Sequence, residues 1–370
     1  MANKAIKYRI YPTTEQEVFF AKTFGCCRKV YNLMLEDKIK SYKESKSFGK
    51  QTPAMYKAEY PFLKEVDSLA LANVQLNLEA AFRNCFDKTR KFCNGFPRYK
   101  SAKRSRRSYT TNNQNGTITV GENFIKLPKI GKVKAKIHRL PLEGWSIKSA
   151  TVSQDSDRKF YASVLFEFEQ AVTPISKIDK VLGLDYKSDG LYMDSEGNTP
   201  PNHKYYRQGQ EKLAKAQRKL KHMEIGSNNY RKQQQRIAKV HKHIASQRLD
   251  NLHKKSTEIA NQYDVVCVED LDMRAMSNKG FGNGKATMDN GYGMFLRMLE
   301  YKLSSRGKHY VEVGKWYPSS QLCSCCGRRH KLALSERVYS CECGLVIDRD
   351  YNAAINIKNE GLRILREKLA

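Results

Sequence analysis

Two short apolar runs do most to limit how this chain can fold. "VLGLD" (181–185) and "VVCVE" (265–269) are too short for helices, are apolar up to their last residue, and end in a carboxylate. Such runs are buried strands of a sheet covered by helices, which predicts an α/β region in the second half of the chain. A second strand beginning at Leu191 closes a hairpin with the first. Residues 205–262 read as helical with a break at "EIGSNN", after which Ile237, Val240, Ile244, Leu252 and Ile259 follow one face. "NGYGMFLRMLEYKLSSRG" predicts a helix ending in a glycine cap, and "HYVEVG" a further strand.

The first half has a different period. "KAIKYRIYP" alternates Ile6, Tyr8 and Ile10 with polar positions and stops at Pro12, the pattern of a half-buried strand. Thr14 and Glu17 form a capping-box pattern, and Val18, Ala21, Phe24, Tyr31 and Leu35 follow at helical spacing. A second helix is predicted through 68–92, with Leu71, Leu78, Ala81, Phe82 and Cys85 on one face. Residues 14–95 therefore read as a helical unit. "FPRYKSAKRSRRSYTT" (96–111) breaks all periodicity and reads as an exposed basic connector. From 117 to 168 the period is two, with turns at "GEN", "PKIGK" and "DSD", which predicts an antiparallel β-barrel or sandwich. The opening strand precedes the helices, so they read as an insertion into that β-structure.

Composition narrows the partners. Lys and Arg number 67 against 38 Asp and Glu, a net charge of +29 over 370 residues. That field draws the chain to polyanions, nucleic acid first. The 40% hydrophobic content excludes wholesale disorder. No run of 18 apolar residues, signal-like segment or lipidation motif occurs, so a cytoplasmic protein without a membrane partner is expected.

Against this basic background, Asp185, Glu269 and Asp350 share one context, at a strand end or just before the helix "YNAAINI". Carboxylates so placed converge on one cleft from distant parts of a chain. Phosphodiester hydrolysis gains most from two Mg²⁺ ions that activate water and stabilise the leaving oxygen, and hard oxygen ligands suit such ions. Three acids in a basic protein make sense as a metal-binding island. Taken singly, each is more readily a cap, a turn residue or half of an ion pair; Asp194, Asp264 and Asp270 read that way.

Five of the ten cysteines crowd into 323–343. "CSCCGRRH" and "CECG" supply Cys323, Cys326, Cys341 and Cys343 as two knuckles for a structural Zn²⁺. The second knuckle is C-x-C, one residue tight, which leaves Cys325 and His330 as competing ligands. Cys26, Cys27, Cys85, Cys93 and Cys267 lie among apolar neighbours and read as core thiols.

In this order, "GLDYKSDG", "VVCVEDL", "WYPSSQLCSCCG" and "CGLVIDRDYNAAINI" resemble the TnpB family, transposon-encoded RNA-guided DNA nucleases related to miniature type V CRISPR effectors. The likeness extends to "KYRIYP" and "FPRYK" and covers nearly the whole chain. It implies a multidomain α+β and α/β protein: a wedge β-barrel (1–13 and 96–175) with an inserted helical recognition domain (14–95), and a RuvC, RNase H-like nuclease domain (176–317 and 346–370) with an inserted zinc ribbon (318–345). Asp185, Glu269 and Asp350 match the family's catalytic acids. The choice of Asp350 over Asp348 comes from that match, and Asp348 is expected to act locally, pairing or capping near Arg349. Implied cofactors are Mg²⁺ (two ions, or Mn²⁺) and a structural Zn²⁺. Implied partners are a guide RNA, one chain per RNA, and double-stranded DNA bearing a short flanking motif. "YKSDG" after Asp185 departs from the D-x-G of many members.

The connector residues Arg98, Lys100, Lys103, Arg104, Arg106 and Arg107, with Tyr99 and Tyr109 interleaved, are expected to neutralise phosphates and stack on bases. A solvated charge run fits them equally well. Gln75 and Asn77 are candidate readers of the flanking motif, although packing or solvent exposure explains them more simply. The basic face of 205–262, including Lys212, Lys215, Arg218 and Arg236, reads as the lining of a guide–target groove or as a soluble surface helix, and the resemblance implies the groove. Two rival functions remain at this stage: a DNA-strand-transfer transposase, which also uses three acids, and an RNA-guided repressor that binds without cutting.

Overall fold

Strand β1 (Ala2–Tyr11) lies inside a sheet, not at its edge. In the computed structural model, which describes residues 2–87, 95–169, 172–201, 203–278, 284–333 and 336–370, the chain forms two units, 1–170 and 171–370. Cys93 falls outside the described residues. None of the described helices is long and apolar enough to cross a membrane.

In the first unit, β1 pairs antiparallel with β7 (Phe160–Phe168) along nearly its whole length, from Ala2 opposite Phe168 to Ile10 opposite Phe160. Its other side pairs with β5 (Gly131–Lys136). With β2 (Arg107–Asn112), β3 (Thr119–Val120), β4 (Phe124–Leu127) and β6 (Ser146–Gln154), the seven-stranded order is β2-β6-β7-β1-β5-β4-β3. The ladder ends at β2 and β3. Among the described residues it is one open sheet, rather than two stacked sheets or a barrel closed by hydrogen bonds. Ile6, Tyr8 and Ile10 bury their side chains as the alternation requires.

Helices α1 (Thr14–Ser45) and α2 (Ser68–Phe86), joined by short 3₁₀ turns, lie between β1 and β2 in sequence and share the sheet's core. Two expectations about α1 need correction. The cap is Thr13 with Gln16, one residue earlier than Thr14 and Glu17: Thr13 Oγ1 accepts from the Gln16 N–H at 3.3 Å and Gln16 Oε1 accepts from the Thr13 N–H at 3.1 Å. Gln16 also donates to the Lys132 carbonyl at 3.0 Å, a tie to β5 that Glu17 cannot make as a carboxylate acceptor. The buried stripe is Phe20, Phe24, Cys27, Tyr31, Met34 and Leu35, whereas Val18 and Ala21 face water. The aromatic side of the stripe wins because Phe20 and Phe24 meet Tyr109 of β2, with centroids 6.3 and 5.9 Å apart.

That contact corrects the connector as well. Residues 107–112 are strand β2, paired with β6, and Tyr109 is buried, so it is unavailable to stack on a base. Asp67 caps α2 by accepting from the Leu69 and Ala70 N–H groups, and Thr111 of β2 donates to the same carboxylate. Cys26 and Cys27 are buried, Cys85 half-buried.

The second unit is built on a four-stranded sheet in the order β11-β10-β8-β9. Strands β8 (Val181–Tyr186), β10 (Val265–Glu269) and β11 (His309–Val313) are parallel, and β9 (Tyr192–Asp194) returns antiparallel on β8. Helices α3 (Tyr205–Lys221) and α4 (Asn228–Gln262) form a hairpin between β9 and β10. Short helices α5 (Met273–Met276) and α6 (Gly284–Asn290) precede α7 (Tyr292–Ser304). The ribbon β12 (Val338–Ser340) and β13 (Val346–Asp348) leads directly into α8 (Arg349–Leu369).

Strand alternation divides the side chains between two faces. Leu182, Leu184, Val266 and Val268 pack with Leu252 and Ile259 of α4 and with Phe295, Leu299 and Leu303 of α7. Val265, Cys267, Val311 and Val313 face α8, against Ile357 and Leu365. Two glycines let α8 come close. A Cβ at Gly183 in β8 would overlap the Ala354 carbonyl oxygen, and one at Gly361 in α8 would overlap the Cys267 sulfur.

Candidate active site and metal centre

The same alternation aims the acids. In β8, Asp185 falls on the α8 face with Gly183; in β10, Glu269 falls there with Val265 and Cys267. The ladder sets Leu184 opposite Val268, so both carboxylates stand at neighbouring C-terminal strand ends. Asp350 lies in the first turn of α8, which packs across that edge. Two strands and one helix start therefore deliver the three acids to one place.

Their electrostatics show the convergence. Burial, reinforced by the nearby Glu269 and Asp350 carboxylates, pushes the Asp185 carboxyl well above the usual range, against a smaller opposing pull from Arg349. Burial pushes Glu269 up to about 7. Asp350 has two cations beside it, Arg349 at 3.4 Å and Lys187 at 3.9 Å. Asp185 and Glu269 therefore resist ionising together until a cation neutralises them, and the hard oxygens of the three acids fit Mg²⁺ or Mn²⁺. The acids are set more widely than a single-ion cage: among the described residues only four cysteines bring all their ligand atoms within 4.8 Å of one another.

Asp348 does something else. Its Oδ1 accepts from the N–H groups of Asp350 at 2.9 Å and Tyr351 at 3.0 Å, making it the N-cap of α8. The local role expected for it is the observed one.

Those four cysteines are Cys323, Cys326, Cys341 and Cys343. Their sulfurs approach to 3.5 Å (Cys323–Cys343) and 3.6 Å (Cys326–Cys341). Tetrahedral zinc with bonds of about 2.3 Å needs sulfur–sulfur edges of about 3.8 Å, so the set fits Zn²⁺. Cys325 and His330, the competing ligands, lie outside the cluster; His330 instead meets the Tyr339 ring edge-on. Each knuckle ends in a glycine with left-handed backbone, Gly327 at φ 72° and Gly344 at φ 90°, and this lets the C-x-C knuckle turn as the C-x-x-C one does. Burial raises the Cys323 thiol, but the Cys326 and Cys325 backbone N–H groups outweigh it and bring the thiol down to about 7.

Sequence reasoning missed the residues that join the two centres. Asn352 is fully buried on α8; its Oδ1 accepts the Ser324 N–H and its Nδ2 donates to the Leu322 carbonyl at 2.7 Å. One turn on, Asn356 Nδ2 donates to the carbonyls of Ser319 at 2.8 Å and Leu322 at 2.7 Å. The first knuckle is thereby bolted to the helix that carries Asp350. Lys187 was missed too. Its loop is held by Asn290, whose Nδ2 donates to the carbonyls of Lys187 and Ser188 at 3.3 and 2.9 Å. The repeated N-A-A-x-N spacing was the available signal for the asparagines; Lys187 had none.

In the first unit, a cavity of about 270 Å³ opens between α1, α2 and β2, with Arg28, Asn73, Asn77, Lys100, Arg106 and Arg107 on its wall. Gln75 turns aside and donates to Glu79 at 2.9 Å. Asn32 fixes the connector through two bonds to the Lys100 backbone, at 2.8 and 2.9 Å, and the Lys100 ammonium sits 3.8 Å from the Tyr31 ring centroid. Arg107 donates to Gln154 at 2.9 Å. Arg98, Tyr99, Lys103 and Arg104 are exposed along the connector, outside the cavity wall.

Residues 292–357 match the "Cas12f1-like, TNB domain" model, 163–279 a model described as "Probable transposase", and 1–47 a "Helix-turn-helix domain". In this structure the last segment is β1 followed by the single helix α1. A Streptomyces pristinaespiralis protein named "Putative RNA-guided DNA endonuclease" is 36% identical over 97% of this chain and 89% of its own length. An Escherichia coli K12 protein, "Putative RNA-guided DNA endonuclease InsQ", is 29% identical over 98% of this chain and 93% of its own. Among solved structures, a Cas12f1–sgRNA–target DNA complex matches with a TM-score of 0.54 at 14% identity, covering 97% of this chain and 99% of that one, a likeness of fold.

Proposed function

The chain belongs to the TnpB family, and from that premise we propose that it is an RNA-guided DNA endonuclease that cuts through the Asp185–Glu269–Asp350 site. The observation that carries the reading is the delivery of three acids to one sheet edge by β8, β10 and the start of α8. A binding module needs no such convergence, because burying mutually repelling carboxylates costs stability.

In this reading Asp185, Glu269 and Asp350 hold divalent cations, Mg²⁺ or Mn²⁺. Bound there, these ions supply activation of water and stabilisation of the departing 3′ oxygen of a phosphodiester. The chain's own part is orientation. The Asp348 cap fixes the first turn of α8 and with it the Asp350 carboxylate, while Lys187 and Arg349 balance its charge. Cys323, Cys326, Cys341 and Cys343 hold Zn²⁺ as a structural ion, since all four positions are filled by protein.

Sequence is read by pairing between a guide RNA and one DNA strand, as RNA-guided enzymes do, with one chain per RNA. The cavity of the first unit, with Asn77, Lys100, Arg106 and Arg107 on its wall, is assigned to the backbone and base edges of the DNA flanking the target. Arg98, Tyr99, Lys103 and Arg104 extend that basic surface along the connector. Gln75 is dropped as a reader because Glu79 occupies it. The family's domain plan then makes the seven-stranded sheet the wedge, α1 and α2 the recognition lobe, and 176–317 with 346–370 the RuvC domain around the zinc ribbon at 318–345.

The test is cleavage of a motif-flanked duplex by the purified protein with its guide RNA. Cutting that requires guide and divalent metal and is lost in Asp350→Ala is expected. Cutting in EDTA, or full activity in Asp350→Ala, would overturn the assignment; guide-independent joining of DNA ends would point to strand transfer instead.

A further inference from the structure

Trp316 is 86% exposed, the most exposed large apolar side chain among the described residues. An indole covers ~150–250 Å² when buried, so its exposure here leaves a large, flat apolar face open to a partner. Trp145, the chain's other tryptophan, is stacked on Phe168 with centroids 4.3 Å apart.

The backbone around Trp316 is firmly held. The Tyr317 N–H donates to the Gly314 carbonyl at 2.9 Å, so Lys315 and Trp316 occupy the tip of a tight turn. Tyr317 turns inward and packs against the cluster under α8. On one side the turn leaves Val313, the ladder partner of Glu269, whose carbonyl also accepts the Asp270 N–H at 2.9 Å. On the other side it reaches Ser319, whose carbonyl is held by Asn356 of α8. Both legs are thus fixed to elements that carry the acids. Trp316 is three residues from Val313, within roughly 11 Å of chain reach. The Lys315 ammonium lies 4.8 Å from the Trp316 ring centroid, which pairs a phosphate-seeking charge with a flat apolar face.

We propose that Trp316, with Lys315 beside it, is a stacking platform for an unpaired DNA base of the strand led to the Asp185–Glu269–Asp350 edge. Every base has a π-face, so a lone indole suits a site that must accept any sequence, and the adjacent cation meets the phosphate. The net charge of +29 favours this polyanion over a protein partner. The assignment rests on the nuclease reading for the identity of the strand, but its test does not use cutting.

The full chain, zinc-loaded and assembled with its guide RNA in buffer without chelator or added Mg²⁺, is titrated with single-stranded DNA and with an abasic strand of equal length. The emission of Trp316 is taken as wild type minus Trp316→Phe. Base-bearing DNA is expected to change that emission at least twofold and the abasic strand to leave it nearly constant. Trp316→Ala is expected to weaken single-strand binding about tenfold, and Trp316→Phe to restore most of it. Three outcomes would overturn the platform: equal response to the abasic strand, unchanged affinity in Trp316→Ala, or a signal exhausted by guide RNA before DNA is added. A signal that follows protein concentration without DNA assigns the indole to contact between copies and overturns it too. A complex that stacks DNA here yet fails to cut in Mg²⁺ leaves the platform standing and removes the nuclease reading.

Discussion

Asn352 Oδ1 accepts the backbone N–H of Ser324 at 3.0 Å, joining the helix that carries Asp350 to the residue after the first zinc thiolate. The amide is fully buried and its Nδ2 is spent on the Leu322 carbonyl, so both of its polar ends are used. Asn352→Leu leaves the Ser324 N–H without its partner, while the Leu322 carbonyl keeps its bond from Asn356, at a cost of about 1–3 kcal/mol. Thermal unfolding is expected to fall by several degrees and target cleavage by about tenfold, with guide RNA binding preserved. Equal unfolding temperatures for wild type and variant would show that the tether bears no strain.

Asp348 and Asp350 are two residues apart and separate cleanly by substitution. Asp348→Ala removes the α8 cap and is expected to cost about 1 kcal/mol with a modest loss of rate, while Asp348→Asn keeps the cap. Asp350→Ala is expected to abolish cleavage without lowering the unfolding temperature, because it relieves repulsion on Asp185. Cleavage rates and melting curves of the three variants decide between the roles.

How much of this was legible in the sequence varied with the range of the interaction. Strands β1 and β4 to β7 follow from alternation, since one face of each meets the core. Strand β2 did not, because the basic run reaching Arg107 hides the short alternation of Tyr109 and Thr111. The cap of α1 was one residue out because T-x-x-Q and T-x-x-E overlap, and only contact with β5 favours Thr13. The thiolates were readable from spacing, whereas the exclusion of Cys325 depends on where the knuckle points it. Asn352, Asn356 and Lys187 act on partners far along the chain or across a loop, which no local pattern encodes.

Glu269 makes a prediction about pH. Its folded pKa of about 7 lies above the ordinary carboxylate value because burial disfavours the charged form. The stability it permits is fully present below the unfolded value and is lost as pH rises through 7, so at pH 8 the ionised group destabilises the Mg²⁺-free protein. Glu269→Gln is expected to raise Mg²⁺-free stability at pH 8 by roughly 1–3 kcal/mol, to change little at pH 4, and to abolish cleavage. Urea unfolding of the zinc-loaded protein in buffer without chelator, Mg²⁺ or Mn²⁺ at the two pH values measures it; a variant no more stable than wild type at pH 8 would refute the buried-acid account.

The cysteine cluster predicts one zinc per chain. Metal content by elemental analysis is expected to be one equivalent in wild type and in Cys325→Ser, whose thiol lies outside the cluster, and to fall well below one in Cys341→Ser. Because the second knuckle sits in the β12–β13 turn and β13 runs directly into α8, loss of the ion loosens the approach to Asp350 as well as the ribbon. Chelator-treated protein is therefore expected to unfold at lower temperature and to cut more slowly even in excess Mg²⁺, with both properties restored by added Zn²⁺. Full cleavage by zinc-free protein would leave the ribbon a separate module with no part in positioning the acid.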